Sequence, residues 1–254
     1  SGCDQVISGS GAVVINNGLT YCVTDNFTGT VTFEYWNGGG TLKVCGSAYI
    51  LNYSVKLYEN CSIMVTDGGS ISFYNNIEMN ENSTIIIANN SSLFTGDGAI
   101  KLNSPESKLI NYGLIHIGEG GIIQKGIIEN YGSIGIHYYL MESPGYLINF
   151  SNIYVSGITG MKINSMTNEG IILCNGNIRI YGQPVLNNCQ LISHSDIILY
   201  SEGFICNSGY LKAYECVINE NTNPVLNNKS MWSLIHLTIK SGTIFGEGGL
   251  NSII

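Results

Sequence analysis

Arginine is almost missing from this chain of 254 residues: Arg179 is the single one, beside 9 lysines, against 18 Asp and Glu, for a net charge of −8. A nucleic-acid binder neutralises phosphates with clustered Lys and Arg, so DNA and RNA are excluded as partners. Charged residues of every kind reach only 11%. Long stretches of Ala, Glu, Lys and Leu are wanting, and with them the makings of helices. No run of 18 apolar residues occurs, so no transmembrane segment is expected. Proline occurs 4 times, and no linker rich in Pro, Ser or charge divides the chain, which favours one continuous domain. No C-x-x-C pair occurs, and His116, His137, His194 and His236 are scattered. A metal centre is therefore not expected. Gly38-Gly39-Gly40 and Gly118-Glu119-Gly120-Gly121 lack a strand–loop–helix context, so they read as turns rather than phosphate loops. No cofactor is expected.

What the chain does have is an asparagine at a nearly fixed interval: Asn111, Asn130, Asn149, Asn168, Asn187, Asn207 and Asn227. A period near 20 marks a solenoid, in which each repeat is one coil stacked on its neighbours. Two positions before the asparagine stand Leu109, Ile128, Leu147, Met166, Val185, Ile205 and Val225. Four after it stand Ile115, Ile134, Ile153, Ile172, Leu191, Leu211 and Met231. Six after it stand Ile117, Ile136, Val155, Cys174, Ser193, Ala213 and Ser233. The even parity puts these on one face of an extended chain, while the odd positions vary freely. The pattern predicts an all-β fold, a single-stranded parallel β-helix of right hand with coils of about 19–20 residues. The asparagines share the inward parity and are expected to bond one another along the axis, each offering two donors and an acceptor. Glycines two residues on, such as Gly113, Gly132 and Gly170, are expected to turn the backbone with positive φ. In the first half the period loosens. Asn89 is a plausible ladder member, with Asn52 and Asn75 as earlier ones. Residues 1–61 read as an N-terminal cap with the first coils, and 62–254 as the remaining coils. A sandwich or barrel does not keep three core columns in register over six steps, and a propeller blade needs about twice this period.

Eight cysteines suggest disulfides and an exported, oxidising setting. Bridged cysteines bring their Cα atoms to about 5–6 Å, close to the spacing of stacked coils, so partners should differ by about one coil. Cys22 with Cys45, Cys3 with Cys22, Cys45 with Cys61, and Cys189 with Cys206 all satisfy this. Cys174 stands in a core column and fits there as a small hydrophobe. Ser1-Gly2-Cys3 fits a mature terminus after cleavage.

The opening Thr20-Tyr21-Cys22-Val23-Thr24, Phe27-Thr28-Gly29-Thr30-Val31 and Gly38-Gly39-Gly40-Thr41-Leu42-Lys43-Val44-Cys45-Gly46 resembles that of large secreted repeat proteins of Bacteroidetes. Repeats such as Ile110-Asn111-Tyr112-Gly113-Leu114-Ile115 resemble theirs too, and the resemblance covers nearly the whole chain. It implies a secreted or cell-surface protein exported by the type IX pathway, with an adhesin-like or structural role, and it implies that Cys22 and Cys45 are paired. No sorting domain follows Gly248-Gly249-Leu250, so the chain is expected to be part of a longer protein.

Catalytic residues are not expected. Glycoside hydrolysis needs two carboxyl groups about 5–9.5 Å apart. Glu129 and Glu169 flank their asparagines, and neither has a carboxylate in its column in the next coil. Lyase chemistry on acidic sugars wants Lys or Arg at the reacting carboxylate, and Arg179 stands alone. His116 points outward opposite Gly135, and no Ser-His-Asp set shares a register. Tyr112, Tyr131 and Phe150 occupy one outward column, a candidate binding face for a surface glycan or a protein partner. Stacking that merely stiffens the coils is the competing reading. Regular Thr arrays for ice binding are missing. The sequence thus points to a non-enzymatic surface scaffold or adhesin module. Its rivals are a polysaccharide-active lyase or hydrolase, and a structural subunit docked on a secretion or surface assembly.

Overall fold

The computed structural model describes residues 2–35, 38–137, 145–182, 185–200 and 211–213, and, for the strands between 204 and 252, backbone pairing with no other side chains. Every strand pairs in parallel with its counterpart one coil away, and no helix occurs among the described residues. Each coil carries up to three short strands, as in Lys108–Asn111, Leu114–Ile117 and Ile122–Gln124. The first and second strands of successive coils stack into two faces of one continuous sheet. The third strands form a separate face. Ser54–Leu57, Asn76–Met79, Ile100–Leu102 and Ile122–Gln124 make one ladder on it, and Met161–Ile163, Ile178–Ile180 and Ile197–Leu199 continue in another. The earliest strands, Gln5–Ile15 and Thr20–Phe33, are longer and pair with each other, with a register shift between Ile7 and Gly9.

The alternation read from the sequence is the observed one. Ile115, Ile134, Ile153, Ile172 and Leu191 stack in register and are buried. Ile117, Ile136, Val155, Cys174 and Ser193 form the next inward column. A coil is too thin to enclose a core alone, so each inward Ile is buried by the coils above and below it. Cys174 is wholly buried, and burial pushes its thiol up to about 12. It is a core side chain and no nucleophile.

Asn111, Asn130, Asn149, Asn168 and Asn187 stack in register, fully buried. Each Nδ2 from Asn111 to Asn168 donates to the Oδ1 of the next asparagine at 2.7–2.8 Å. The second Nδ2 hydrogen finds a backbone carbonyl, Ser133 O for Asn111 and Ser151 O for Asn149. The Oδ1 also accepts from the backbone two residues on, at Gly113, Ser151 and Gly170. These amides are therefore satisfied inside a dry core.

The register corrects several positions. Asn187 pairs with Cys206, and Cys206 with Asn227, so the ladder column passes through Cys206; Asn207 lies outside the described residues, as does the side chain of Asn227. Val185 likewise pairs with Phe204 rather than Ile205. That strand sits one residue earlier than an alignment on asparagine places it. Ile87, not Asn89, pairs with Asn111, and the column continues upward as Val65, Val44 and Val23. Asn89 is exposed in a four-residue turn, and Asn52 and Asn75 are off this column. The turns at 66–69 and 88–91 satisfy themselves, with Gly69 N donating to Thr66 O and Ser91 N to Ala88 O. Asp67 and Asn90 take the left-handed conformation there. At Val65 and Ile87 the corner is closed by its own backbone and needs no amide; after Val44 the bend has two residues, Cys45 and Gly46, and the column is apolar there too.

Gly113, Gly132 and Gly170 do not have positive φ. They are small because a Cβ would stand 2.1–2.2 Å from the carbonyl oxygen of the coil before: Ser91, Gly113 and Ser151 respectively. Two coils carry a side chain at this corner, Ser151 and Cys189. Close approach of stacked backbones, rather than turn geometry, sets the residue type.

The cysteine pairing implied by the resemblance is overturned. Cys3 bonds Cys22, with Cα atoms 5.6 Å apart, while Cys45, Cys61, Cys174 and Cys189 are free thiols. Cys22 pairs in register with Lys43 and Val23 with Val44. Cys45 is therefore two residues along the strand from Cys22, a diagonal of about 7–8 Å, too long for a bridge. Cys45 instead approaches Thr66 Oγ1 at 3.4 Å, and Thr66 donates to Asp67. Hydrogen bonds from Thr66 and Cys45 hold the Asp67 carboxyl below its ordinary range. Cys189 makes no bridge to Cys206, whose backbone partner is Asn187.

Candidate functional site

Tyr112, Tyr131 and Phe150 lie where the sequence placed them, at successive first corners. Their rings stack with centroids 4.9 Å apart and planes within 11° of parallel. A second stack joins Tyr181 and Tyr200 at 4.7 Å. The coil spacing enforces this contact, since stacked strands stand about 4.8 Å apart. Tyr131 has both ring faces covered by neighbours. A sugar packs its C–H face against an open ring face, so this column offers solvent mainly edges. The geometry favours stiffening over binding. Partial desolvation, and then the Glu129 carboxylate that the Tyr131 hydroxyl meets at 3.4 Å, raise the Tyr131 phenol above its ordinary range. Tyr131→Ala is expected to lower the thermal midpoint by about 2–5 °C without changing any ligand binding. A binding loss at unchanged stability would reinstate the column as a ligand face.

The third face carries a different arrangement. Its outward column begins Lys56, Glu78, Lys101, Ile123. Signs alternate here, and Glu78 reaches Lys56 at 3.8 Å and Lys101 at 3.7 Å. Farther along, Lys162 and Arg179 are register neighbours, two cations in adjacent coils. Arg179 is thus not alone. At the bend leading into the third strands, Asp97 and Glu119 each stand three residues before the register pair Ile100 and Ile122. The glycines that bracket them stack at contact distance. A Cβ on Gly118 would meet Gly96 O at 1.9 Å, and one on Gly120 would meet Gly98 C at 2.1 Å. Asp97 and Glu119 therefore form a carboxylate pair in neighbouring coils, both exposed.

Both like-charged pairs line one groove of about 850 Å³, together with Lys101, Ile123, Ile158 and Thr159. Ile158 is 88% exposed at its edge. Two amides at the groove are committed to the scaffold through their oxygens: Asn76 Oδ1 accepts from Ala99 N at 2.9 Å, and Asn177 Oδ1 from Asp196 N at 3.2 Å. The described histidines do not line it. His116, His137 and His194 are exposed elsewhere, and the side chain of His236 lies outside the described residues. No group of three or more His, Cys, Asp or Glu is placed to hold a metal among the described residues. No helix among them is long and apolar enough to cross a membrane.

Sequence reasoning anchored on the asparagines missed both pairs, because the third strands do not keep that period. Asp97 and Glu119 are 22 residues apart, and Lys162 and Arg179 are 17. Alignment of the triplets Ile100-Lys101-Leu102, Met161-Lys162-Ile163 and Ile178-Arg179-Ile180 as a column of their own finds the second pair. Comparison with protein-family models, curated proteins and solved structures returns no match to this chain.

Proposed function

We propose that this chain is an exported surface scaffold, an adhesin-like β-helix module that binds through its outer faces and catalyses no reaction. The observation that carries the reading is where its polar and aromatic groups go. The asparagine ladder, both ring stacks and the Lys56–Glu78–Lys101 ion pairs all run along the axis. They stiffen a rod, as a display scaffold requires. The Cys3–Cys22 disulfide is compatible with an oxidising compartment, and the resemblance to secreted Bacteroidetes repeat proteins supports a cell-surface setting. A surface glycan or a protein partner is the natural ligand.

One observation favours a second reading, a polysaccharide-active enzyme. Asp97 and Glu119 share a groove at a backbone spacing of about 4.8 Å, near the separation of a retaining carboxylate pair. Against it, both acids are exposed, whereas a general acid working near neutral pH is usually set up by burial. Incubation of the whole chain with acidic and neutral polysaccharides separates the two. The scaffold reading expects neither new reducing ends nor the ultraviolet absorbance of an unsaturated uronate. Chain scission abolished by Asp97→Asn or Glu119→Gln would establish the enzyme in its place.

A further inference from the structure

We propose that the first corner carries a binding site for a neutral glycan, an uncharged oligosaccharide lying along the axis in a furrow beside Tyr112. The proposal rests on the adhesin reading and gives it a site and a ligand class.

The furrow has a physical origin. Stacked backbones approach so closely at this corner that Gly113 and Gly132 carry no side chain. A trough is left between the column of Tyr112 and the outward column Ser92, Leu114 and Ser133 of the second strands. Its volume is about 710 Å³, and it runs from the turn at 88–91 to Ser151. That is three coil steps, about 14 Å at the usual strand spacing, so the ligand is elongated. One end is set by a change in corner length. Four residues, 88–91, separate the first and second strands in one coil, and two, Tyr112 and Gly113, in the next. The longer turn brings in Asn89 and Asn90, both exposed and both lining the furrow.

The lining selects the ligand. None of its residues carries a charge, and the chain has a net charge of −8, so a phosphate or carboxylate finds no partner there. A peptide that adds a strand needs unpaired backbone. Here Tyr112 N, Leu114 N, Gly132 N and Ser133 N all donate to the coil before. The uncommitted groups are side chains. The amides of Asn89 and Asn90 and the hydroxyls of Ser133 and Ser151 make no hydrogen bond with a described residue. Ser91 lines the furrow at 2% exposure, and its Oγ has no partner either. Ser83 and Ser107, each the last residue of a turn before a strand, instead donate to the carbonyl three residues back at 2.6 Å. The turn at 88–91 leaves unused a hydroxyl that those turns consume. A sugar hydroxyl both donates and accepts, which matches serine hydroxyls and asparagine amides. Leu114, 42% exposed, and the half-buried Phe94 offer apolar surface to the C–H face of a sugar ring. Tyr112 adds the end ring of its stack, which meets Tyr131 on one side and no described ring on the other.

The test titrates the whole chain, by nuclear magnetic resonance, with cellotetraose, mannotetraose and laminaritetraose, and with tetragalacturonate as the charged counterpart. At least one neutral tetrasaccharide should bind, with amide shifts centred on residues 89–92, 112–114 and 132–133. Added salt should leave that binding unchanged, since no charge takes part. Asn89→Ala and Leu114→Ser, both at exposed positions, should each weaken it about threefold to tenfold, as loss of a neutral hydrogen bond or of part of an apolar contact does. Ser133→Lys, also at an exposed position, fills the furrow and should abolish it. Tyr131→Ala removes a ring outside the furrow and should bind as the parent does. No binding by any neutral probe, tighter binding of tetragalacturonate, or unchanged binding in Ser133→Lys overturns the proposal. Each of these leaves the scaffold reading standing, because that reading rests on bonding along the axis. Scission of the bound glycan would do the reverse, sinking the non-enzymatic reading and leaving the site assignment in place.

Discussion

Asn149→Leu, at the centre of the ladder, is expected to cost about 3 kcal/mol or more, although it places an apolar side chain of similar size in a buried column. Asn149 accepts from Asn130 Nδ2 at 2.8 Å and from Ser151 N at 3.3 Å, and it donates to Asn168 Oδ1 and Ser151 O at 2.8 Å each. Leucine removes these bonds, together with a long one to Ile171 O, and leaves the Asn130 and Asn168 amides each short of a partner in a dry interior. Asn130 keeps its bond to Asn152 O, and Asn168 Oδ1 keeps Gly170 N. The half-buried Ser151 N–H loses its acceptor at that corner. Stranding a buried polar group costs about 1–3 kcal/mol, whereas removing both partners together is close to neutral. Replacing all five asparagines from Asn111 to Asn187 by valine should therefore cost well under five times the single change. The protein already contains that experiment in its upper coils, where Val23, Val44, Val65 and Ile87 fill the same column. Urea denaturation of the single and fivefold variants checks both statements. A single-variant cost below about 0.5 kcal/mol, or strict additivity, would show that the amides stabilise nothing cooperatively.

That column also explains how far the sequence could be read. Leu109, Asn111, Ile115 and Ile117 recur because the first and second strands are joined by a bend of two residues. In the coils from Asn111 to Asn187 this bend keeps its length, so one anchor fixes both strands and the core is legible. Above Asn111 the corner grows to four residues at 66–69 and 88–91, and the amide gives way to Val65 and Ile87. A reader following asparagine is led to Asn89, two residues past the true column. At Phe204–Cys206 the opposite happens: the strand sits one residue earlier, and Asn207 draws the eye away from Cys206. The candidate site was less legible for the same reason. Third strands are reached by bends of variable length, so Lys162 and Arg179 fall out of step with the asparagine period and their adjacency becomes visible in the folded chain. Tyr112, Tyr131 and Phe150 were placed correctly, but their stacking at 4.9 Å is what decides their role, and a ring's covered faces are not written in its sequence position.

Loss of the Cys3–Cys22 disulfide is expected to release the first strand and little else. Gln5–Ile15 is mostly exposed, includes Val6 at 64% and Val14 at 53%, and breaks register between Ile7 and Gly9. It has a neighbour on one side, Thr20–Phe33, so apolar burial contributes little to holding it. Glycines at 9 and 11, both with positive φ, add backbone entropy to be lost on ordering. The disulfide closes a loop of 19 residues, and closure of that length removes about 3 kcal/mol of freedom from the unlocked chain. That is enough to set whether a weakly packed edge strand stays docked. In a solenoid, stability is a sum of coil terms and nearest-neighbour contacts, so a fault at one end need not travel. Cys3→Ser, or reduction, should therefore abolish amide-exchange protection across residues 5–15 and reduce it at 20–33, while protection of the asparagine ladder coils stays as it was. Cys45→Ser should change neither, because Cys45 is a free thiol beside Thr66. Undiminished protection of residues 5–15 after reduction would mean that strand pairing alone holds the cap. Loss of protection throughout would mean that the rod unfolds as one cooperative body, with the first strand as its keystone.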